Sequence, residues 1–283
     1  MTYPNPDALV TTEWLAAHLS APDVRVVDAS WHMPAAGRNA RQEYEASHIP
    51  GAVFFDIDEI ADTSVQLPHM LPRPELFASK VRRLGLGNGH KIVVYDTAGL
   101  GAARVWWTFR VFGHRDVAVL DGGLSKWVAE GHAIEDLPPM PRDRHFMPYV
   151  NATLVRSFDQ MRANLDSRRE QVVDARSAER FAATAPEPWP TRHVGHMPGA
   201  LNVPFGELVD ETTRTMKPAA ELRARFEAAG FDFTRPAVTS CGSGITACTL
   251  ALALYLLGKD DVAVYDGSWA EWGTHPDAVA VAD

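Results

Sequence analysis

The stretch Gly113-His-Arg-Asp-Val-Ala-Val-Leu-Asp-Gly122 returns as Gly258-Lys-Asp-Asp-Val-Ala-Val-Tyr-Asp-Gly267. Two further pairs recur in the same order. Val26-Val27-Asp28-Ala29 matches Val172-Val173-Asp174-Ala175, and Ser47-His48-Ile49-Pro50-Gly51-Ala52 matches Gly195-His196-Met197-Pro198-Gly199-Ala200. A repeat this long means two similar domains, because solenoid units run only about 20 to 50 residues. The length of 283 residues agrees with two domains of roughly 100 to 200 residues, each able to bury a core without metals or disulfides. We place the first domain at residues 1–135, a linker at 136–152 and the second domain at 153–283. The linker carries Pro138, Pro139, Pro141 and Pro148 among scattered charges, without helical or alternating periodicity.

Within each half, short β-branched runs alternate with longer helical stretches. Residues 25–28, 91–95 and 116–120, and then 172–173, 237–239 and 261–265, read as buried parallel strands. Residues 12–19 read as an amphipathic helix with Thr12 as its N-cap. This alternation predicts an α/β fold: two tandem domains, each a mainly parallel sheet flanked by helices. Ligands of such sheets gather beyond the carboxyl ends of the strands.

Cys241 stands at that end. Val238-Thr239-Ser240 runs into Cys241-Gly242-Ser243-Gly244-Ile245-Thr246 and then into an apolar helix. Glycines at 242 and 244 allow the positive φ angles of a tight curl. Backbone N–H groups of 242–247 and the positive end of the helix then favour a thiolate over a thiol. For an arbitrary cysteine in a βα turn, a small buried core residue is the commoner outcome. The repeat places Asp96 opposite Cys241, so only the second half carries the nucleophile. A cysteine-dependent phosphatase would need arginine six positions after the cysteine, where the chain has Ala247.

The net charge of −9 and pI near 5.6 leave no basic field for a phosphate backbone, so no nucleic-acid partner is expected. No membrane partner is expected either. The most apolar run, residues 245–257, is far shorter than the roughly 20 residues of a span. The first residues lack a basic region followed by an apolar one, which suggests a cytoplasmic location. Two cysteines make no disulfide scaffold, and no spacing suggests a metal, so no cofactor is expected. Even on a helix, Cys241 and Cys248 would lie about 10 Å apart, too far for a disulfide. Cys248 is expected to pack in the helix core.

The loop Cys241-Gly-Ser-Gly-Ile-Thr246 resembles that of the rhodanese-superfamily sulfurtransferases, most of all the 3-mercaptopyruvate branch. His48-Ile49-Pro50-Gly51-Ala52, His69-Met70-Leu71-Pro72, Asp121-Gly122-Gly123 and Asp266-Gly267-Ser268-Trp269 also look like family landmarks in family order, and the likeness covers nearly the whole chain. The resemblance implies that Cys241 carries sulfur as a persulfide, taken from a small-molecule donor and passed to a thiol, a thioredoxin-like protein or cyanide. It implies that Arg180 grips the donor's anionic end, with the loop residues Gly242, Gly244, Ile245 and Thr246 around the substrate. Ser243 would donate its hydroxyl. His48 would move protons across the domain cleft or, because His196 repeats it in the other half, would anchor its own turn. Trp189 stands where the branch usually has a second arginine, and the nearest candidate is displaced to Arg192. Thiosulfate is the alternative donor. A non-catalytic binding role suits the first half, with its Asp96, and not the second.

Overall fold

A computed structural model describes residues 3–282 of the chain. The first half folds into strands β1 (Leu9–Val10), β2 (Val24–Asp28), β3 (Val53–Phe54), β4 (Lys91–Tyr95) and β5 (Val117–Leu120). These pair in the order β1-β5-β4-β2-β3, every pair parallel. The second half repeats the pattern with β6 (Val155–Arg156), β7 (Gln171–Asp174), β8 (Leu201–Asn202), β9 (Ala237–Ser240) and β10 (Val262–Tyr265). Its order is β6-β10-β9-β7-β8, again all parallel. The inner strands are buried on both faces, which is why they read as continuous β-branched runs. The four edge strands have two residues each, too short to leave a periodic signal.

The helices are α1 (Thr12–His18), α2 (Ala40–Ala46), α3 (Pro74–Arg83), α4 (Ala102–Val111), α5 (Gly123–Ala129), α6 (Phe158–Ser167), α7 (Ala178–Phe181), α8 (Ala219–Ala228), α9 (Ala247–Leu256) and α10 (Ser268–Trp272). Thr11 rather than Thr12 caps α1: its side chain accepts from the Trp14 N–H, while Thr12 is buried. Helices α4 and α9 each start one short loop after the middle strand of their sheet, and they pack on each other across the domain boundary. Both are apolar on nearly every side, which a helix tolerates only when it is enclosed. A single core therefore runs through both halves, from Val27 and Phe77 to Leu254 and Val264.

Residues 136–151 contain no helix or strand and lie along the first domain. Arg144, Tyr149 and Asn151 donate their N–H groups to Arg82, Phe112 and Val111, and Phe146 is buried against Phe77 and Phe109. The chain start crosses the other way. Tyr3 donates its hydroxyl to the Lys217 carbonyl at 2.7 Å, and Asn5 donates to Tyr255 at 2.9 Å, so these residues rest on the second domain. Among the described residues no helix is long and apolar enough to cross a membrane.

Candidate active site

Cys241 follows β9, the middle strand of its sheet, and is 1% exposed. It forms the floor of a cavity of about 250 Å³ instead of standing open at the surface. Gly242, Ser243, Ile245 and Thr246 join it in the lining. Gly244 is not part of that wall. At φ +78 it turns toward Asp266 and Arg104, and a Cβ there would lie 2.6 Å from the Asp266 carbonyl oxygen. Its contribution is to the curl of the loop, not to substrate contact.

The loop is fastened from behind by α10 and the turn before it. Trp269 and Ala270 donate N–H groups to the carbonyls of Cys241 and Gly242, at 2.9 and 2.8 Å. Ser268 accepts from the Cys241 N–H at 3.1 Å, donates to the Tyr265 carbonyl at 2.9 Å, and holds its Oγ 3.9 Å from the Cys241 sulfur. It does so at φ +49, where a serine is strained. The corresponding residue of the first half is Gly123, at φ +56.

The first half shows what such a loop does with an anion. Asp96 occupies the place of Cys241, and its carboxylate accepts N–H groups of Gly99 and Ala102, the latter at 2.7 Å. Gly99 matches Gly244 in conformation, with φ +73. Burial raises the pKa of the Asp96 carboxyl even though these N–H groups oppose it. The side chain fills the cradle from within, so the first loop has no room for a transferred sulfur.

Arg180, on α7, reaches the cavity. Its Nη2 lies 2.9 Å from the position a Cβ at Gly242 would take, so the absence of that carbon brings the guanidinium onto the loop. Glu187 accepts from it and also from Arg176 Nη1 at 2.6 Å. Arg176 lines the same wall, yet its donors are engaged by Asp174, Glu187 and the Gly195 carbonyl. Apart from Ser177, the rest of the wall is apolar, with Trp31, Met33, Leu100, Trp189 and Phe205 its large side chains.

Two expected residues lie elsewhere. Arg192 is exposed and absent from the cavity lining; its backbone N–H is tied to the Gly273 carbonyl, which sets its side chain outside. Trp189 takes the wall position instead. His48 is buried in its own turn, with Nδ1 2.7 Å from the Tyr44 carbonyl and its ring stacked on Tyr44. Its backbone bridges to Glu135. His196 of the second half does the same, stacked on Phe181 with Nδ1 3.0 Å from that residue's carbonyl. The repeated histidine is packed in the same way in each half, and His48 stands outside the cavity lining.

A further buried histidine, His69, touches the cavity wall through Trp31 without lining the cavity itself. It packs edge-on against Trp31, a wall residue of the cavity, and its Nδ1 lies 2.7 Å from Asp58 Oδ1. Its Nε2 is buried without a hydrogen-bond partner. Burial acts to raise the Asp58 carboxyl, but His69 and the Trp31 indole N–H outweigh it and hold its pKa below the usual value. Cys248 is fully buried on α9, with Sγ donating to the Gly244 carbonyl at 3.3 Å, and burial pushes its thiol far up.

With this geometry in hand, the comparisons with known proteins agree on one assignment. The model of the rhodanese-like domain matches twice, at residues 11–130 and 157–275. The chain belongs to the rhodanese family of sulfurtransferases. Human 3-mercaptopyruvate sulfurtransferase is 43% identical over 272 residues, covering 94% of this chain and 91% of the relative. Bovine thiosulfate sulfurtransferase is 46% identical over 273 residues with the same coverage. The crystal structure of SseA from Escherichia coli, described as a 3-mercaptopyruvate sulfotransferase, superposes with a TM-score of 0.85 at 39% identity, over 93% of this chain and 99% of that one. Relatives of this chain thus include both donor types, and the donor has to be argued from the cavity.

Proposed function

We propose that this sulfurtransferase takes its sulfur from 3-mercaptopyruvate and passes it, through a persulfide on Cys241, to a thiol, a thioredoxin-like protein or cyanide. The observation that carries the reading is the cavity's charge: of the two arginines on its wall, Arg176 is engaged by Asp174, Glu187 and the Gly195 carbonyl, and Arg180 is shared with Glu187, above a loop of neutral small residues. A donor with one carboxylate set away from its sulfur suits that arrangement. Thiosulfate, a dianion whose charge sits beside the sulfur, would need cations that Gly242 and Ser243 do not supply.

The Cys241 thiolate attacks the donor sulfur. The S–S bond forms as the C–S bond breaks, and the electron pair leaves with pyruvate as its enolate. Ser243, 5% exposed in the lining, lies where its hydroxyl can meet the donor carbonyl oxygen on which that charge develops. His69, oriented by Asp58, is the group we assign to proton delivery in place of His48. An acceptor thiolate then attacks the outer sulfur and releases the Cys241 thiolate, completing a ping-pong cycle. A cytoplasmic location, where reduced thiols abound, belongs to the same reading; one Arabidopsis relative at 43% identity is named as mitochondrial.

The experiment is a side-by-side measurement of kcat/KM for 3-mercaptopyruvate and thiosulfate, with mass spectrometry of the donor-treated protein. A gain of one sulfur atom on Cys241 and preference for 3-mercaptopyruvate are expected. Preference for thiosulfate would reverse the donor assignment, and no gain of sulfur from either would sink the mechanism.

A further inference from the structure

We propose that Arg104, a residue of the non-catalytic half, is a positioning residue of the catalytic site, locking the sulfur-carrying loop and the His69 segment into one geometry. The inference rests on the reading of Cys241 as the sulfur carrier. Arg104 lies on α4, is 3% exposed, and crosses the domain boundary. Its Nη1 donates to the Gly244 carbonyl at 3.1 Å and to Asp266 Oδ1 at 2.6 Å, and its Nη2 donates to the His69 carbonyl. One planar fork therefore joins the active loop, the motif aspartate of the second half and the backbone of the candidate proton carrier. A guanidinium can do this because its donors are held in fixed directions; an ammonium on a flexible stem cannot reproduce the three bonds together.

The two halves show why the second loop needs a clamp from outside. In the first, the Asp96 carboxylate gathers the loop N–H groups around itself. In the second, Cys241 offers a single sulfur, and the loop cannot be organised from within until it carries charge. Gly244 sits at φ +78 in the curl, and in a planar trans peptide a carbonyl held outward fixes the direction of the following N–H. Arg104 holds that carbonyl, with Cys248 Sγ as a second, weaker donor. The position corresponding to Arg104 in the second half is Thr249, whose buried hydroxyl has no hydrogen-bond partner, so the device exists in one direction only.

The test uses the full chain with Arg104→Lys and Arg104→Gln, each retaining a donor on a shorter or less pre-organised arm. Circular dichroism establishes the fold of each variant. Steady-state kinetics with 3-mercaptopyruvate are then compared with wild type, alongside Cys241 persulfide detected by mass spectrometry. Positioning predicts that kcat falls at least about tenfold while KM for the donor stays within about twofold, because Arg180 is untouched. It also predicts that added guanidinium ion restores part of the activity of Arg104→Gln. A folded variant with wild-type kcat, or one whose loss lies in KM alone, overturns the proposal. Failure of both variants to fold also overturns it, leaving Arg104 a stability residue. Absence of persulfide in the wild type would instead refute the sulfur-carrier reading itself.

Discussion

His69 and Arg214 hold the same left-handed backbone conformation, φ 61° and 59°, at corresponding positions of the two halves. Two residues further on, Leu71 donates its N–H to Asp266 Oδ2 and Met216 donates to Asp121 Oδ1, each at 2.7 Å. Each half thus ties this turn to the aspartate of the opposite half. Arg214 lies against Gly99 and donates to the Ala98 carbonyl, beside the loop that Asp96 has filled. His69 instead gives its carbonyl to Arg104 and its ring to Trp31, a wall residue of the cavity that Cys241 lines.

This asymmetry separates the two candidate histidines by experiment. His69→Gln should lower kcat by roughly 10²-fold or more with 3-mercaptopyruvate, the usual scale of a proton-transfer contribution, at nearly unchanged thermal stability. His48→Gln should leave kcat within a few-fold and instead lower stability by about 1 to 3 kcal/mol, since it disturbs a buried ring and its bond to Tyr44. Equal kinetic damage from both, in folded protein, would reject the assignment.

Much of this was legible in the sequence because it is written twice. The repeat announced two domains, and the inner strands announced themselves as unbroken β-branched runs. Repetition also bears on His48, whose counterpart His196 sits in the same kind of turn. His69 stands among the landmarks, but its pairing with Asp58 is made by the fold of the irregular chain between β3 and α3, which no local periodicity reports. Arg104 was illegible too. Nothing in Ala102-Ala103-Arg104-Val105-Trp106-Trp107 announces that one member of a buried helix will cross to the other domain. Arg192, three residues past Trp189, is exposed, and Trp189 lines the cavity, a difference of placement that spacing in an irregular segment does not report.

Burial raises the Asp121 carboxyl from its ordinary 3.8 to about 6, against the Met216 N–H and Lys126. A raised folded pKa favours the protonated form, so the stability linked to this group is fully present below pH 3.8 and lost as pH climbs through 6. The loss amounts to at most about 3 kcal/mol. Asp121→Asn remains neutral and keeps an acceptor for Met216. Urea unfolding should therefore find the variant equal to wild type near pH 4 and more stable by up to that amount at pH 7.5. A variant less stable than wild type at pH 7.5 would show that the ionised carboxylate is wanted at the domain contact.

The two cysteines should divide sharply. Cys241→Ser is expected to abolish sulfur transfer and the gain of sulfur from donor. Cys248→Ala is expected to retain most activity, because its thiol faces the Gly244 carbonyl inside α9 and Arg104 still holds that carbonyl. A folded Cys248→Ala protein that gains sulfur but cannot release it would show that the second thiol takes part in the cycle.

Donor choice is the most exposed of these expectations. 3-Mercaptopyruvate should exceed thiosulfate in kcat/KM by at least about tenfold, roughly 1.4 kcal/mol of transition-state stabilisation. Thiosulfate gains from cations beside the sulfur, and the cavity's arginines are already engaged: Arg180 shares its charge with Glu187, and Arg176 is held by Asp174, Glu187 and the Gly195 carbonyl. Trp189→Arg should add a guanidinium to the wall beside Arg176 and Arg180 and lower KM for 3-mercaptopyruvate by giving its carboxylate another partner. Replacing Gly242 and Ser243 by Arg and Lys adds charge at the loop itself and should move preference toward thiosulfate. It carries a second effect legible in the geometry: any Cβ at 242 comes within 2.9 Å of Arg180 Nη2, so the guanidinium must withdraw and the carboxylate donor loses its grip. The double variant should therefore lose 3-mercaptopyruvate activity as it gains thiosulfate activity. Gain without that loss would mean that Arg180 does not hold the donor, and equal use of both donors by the unmodified protein would remove the donor assignment.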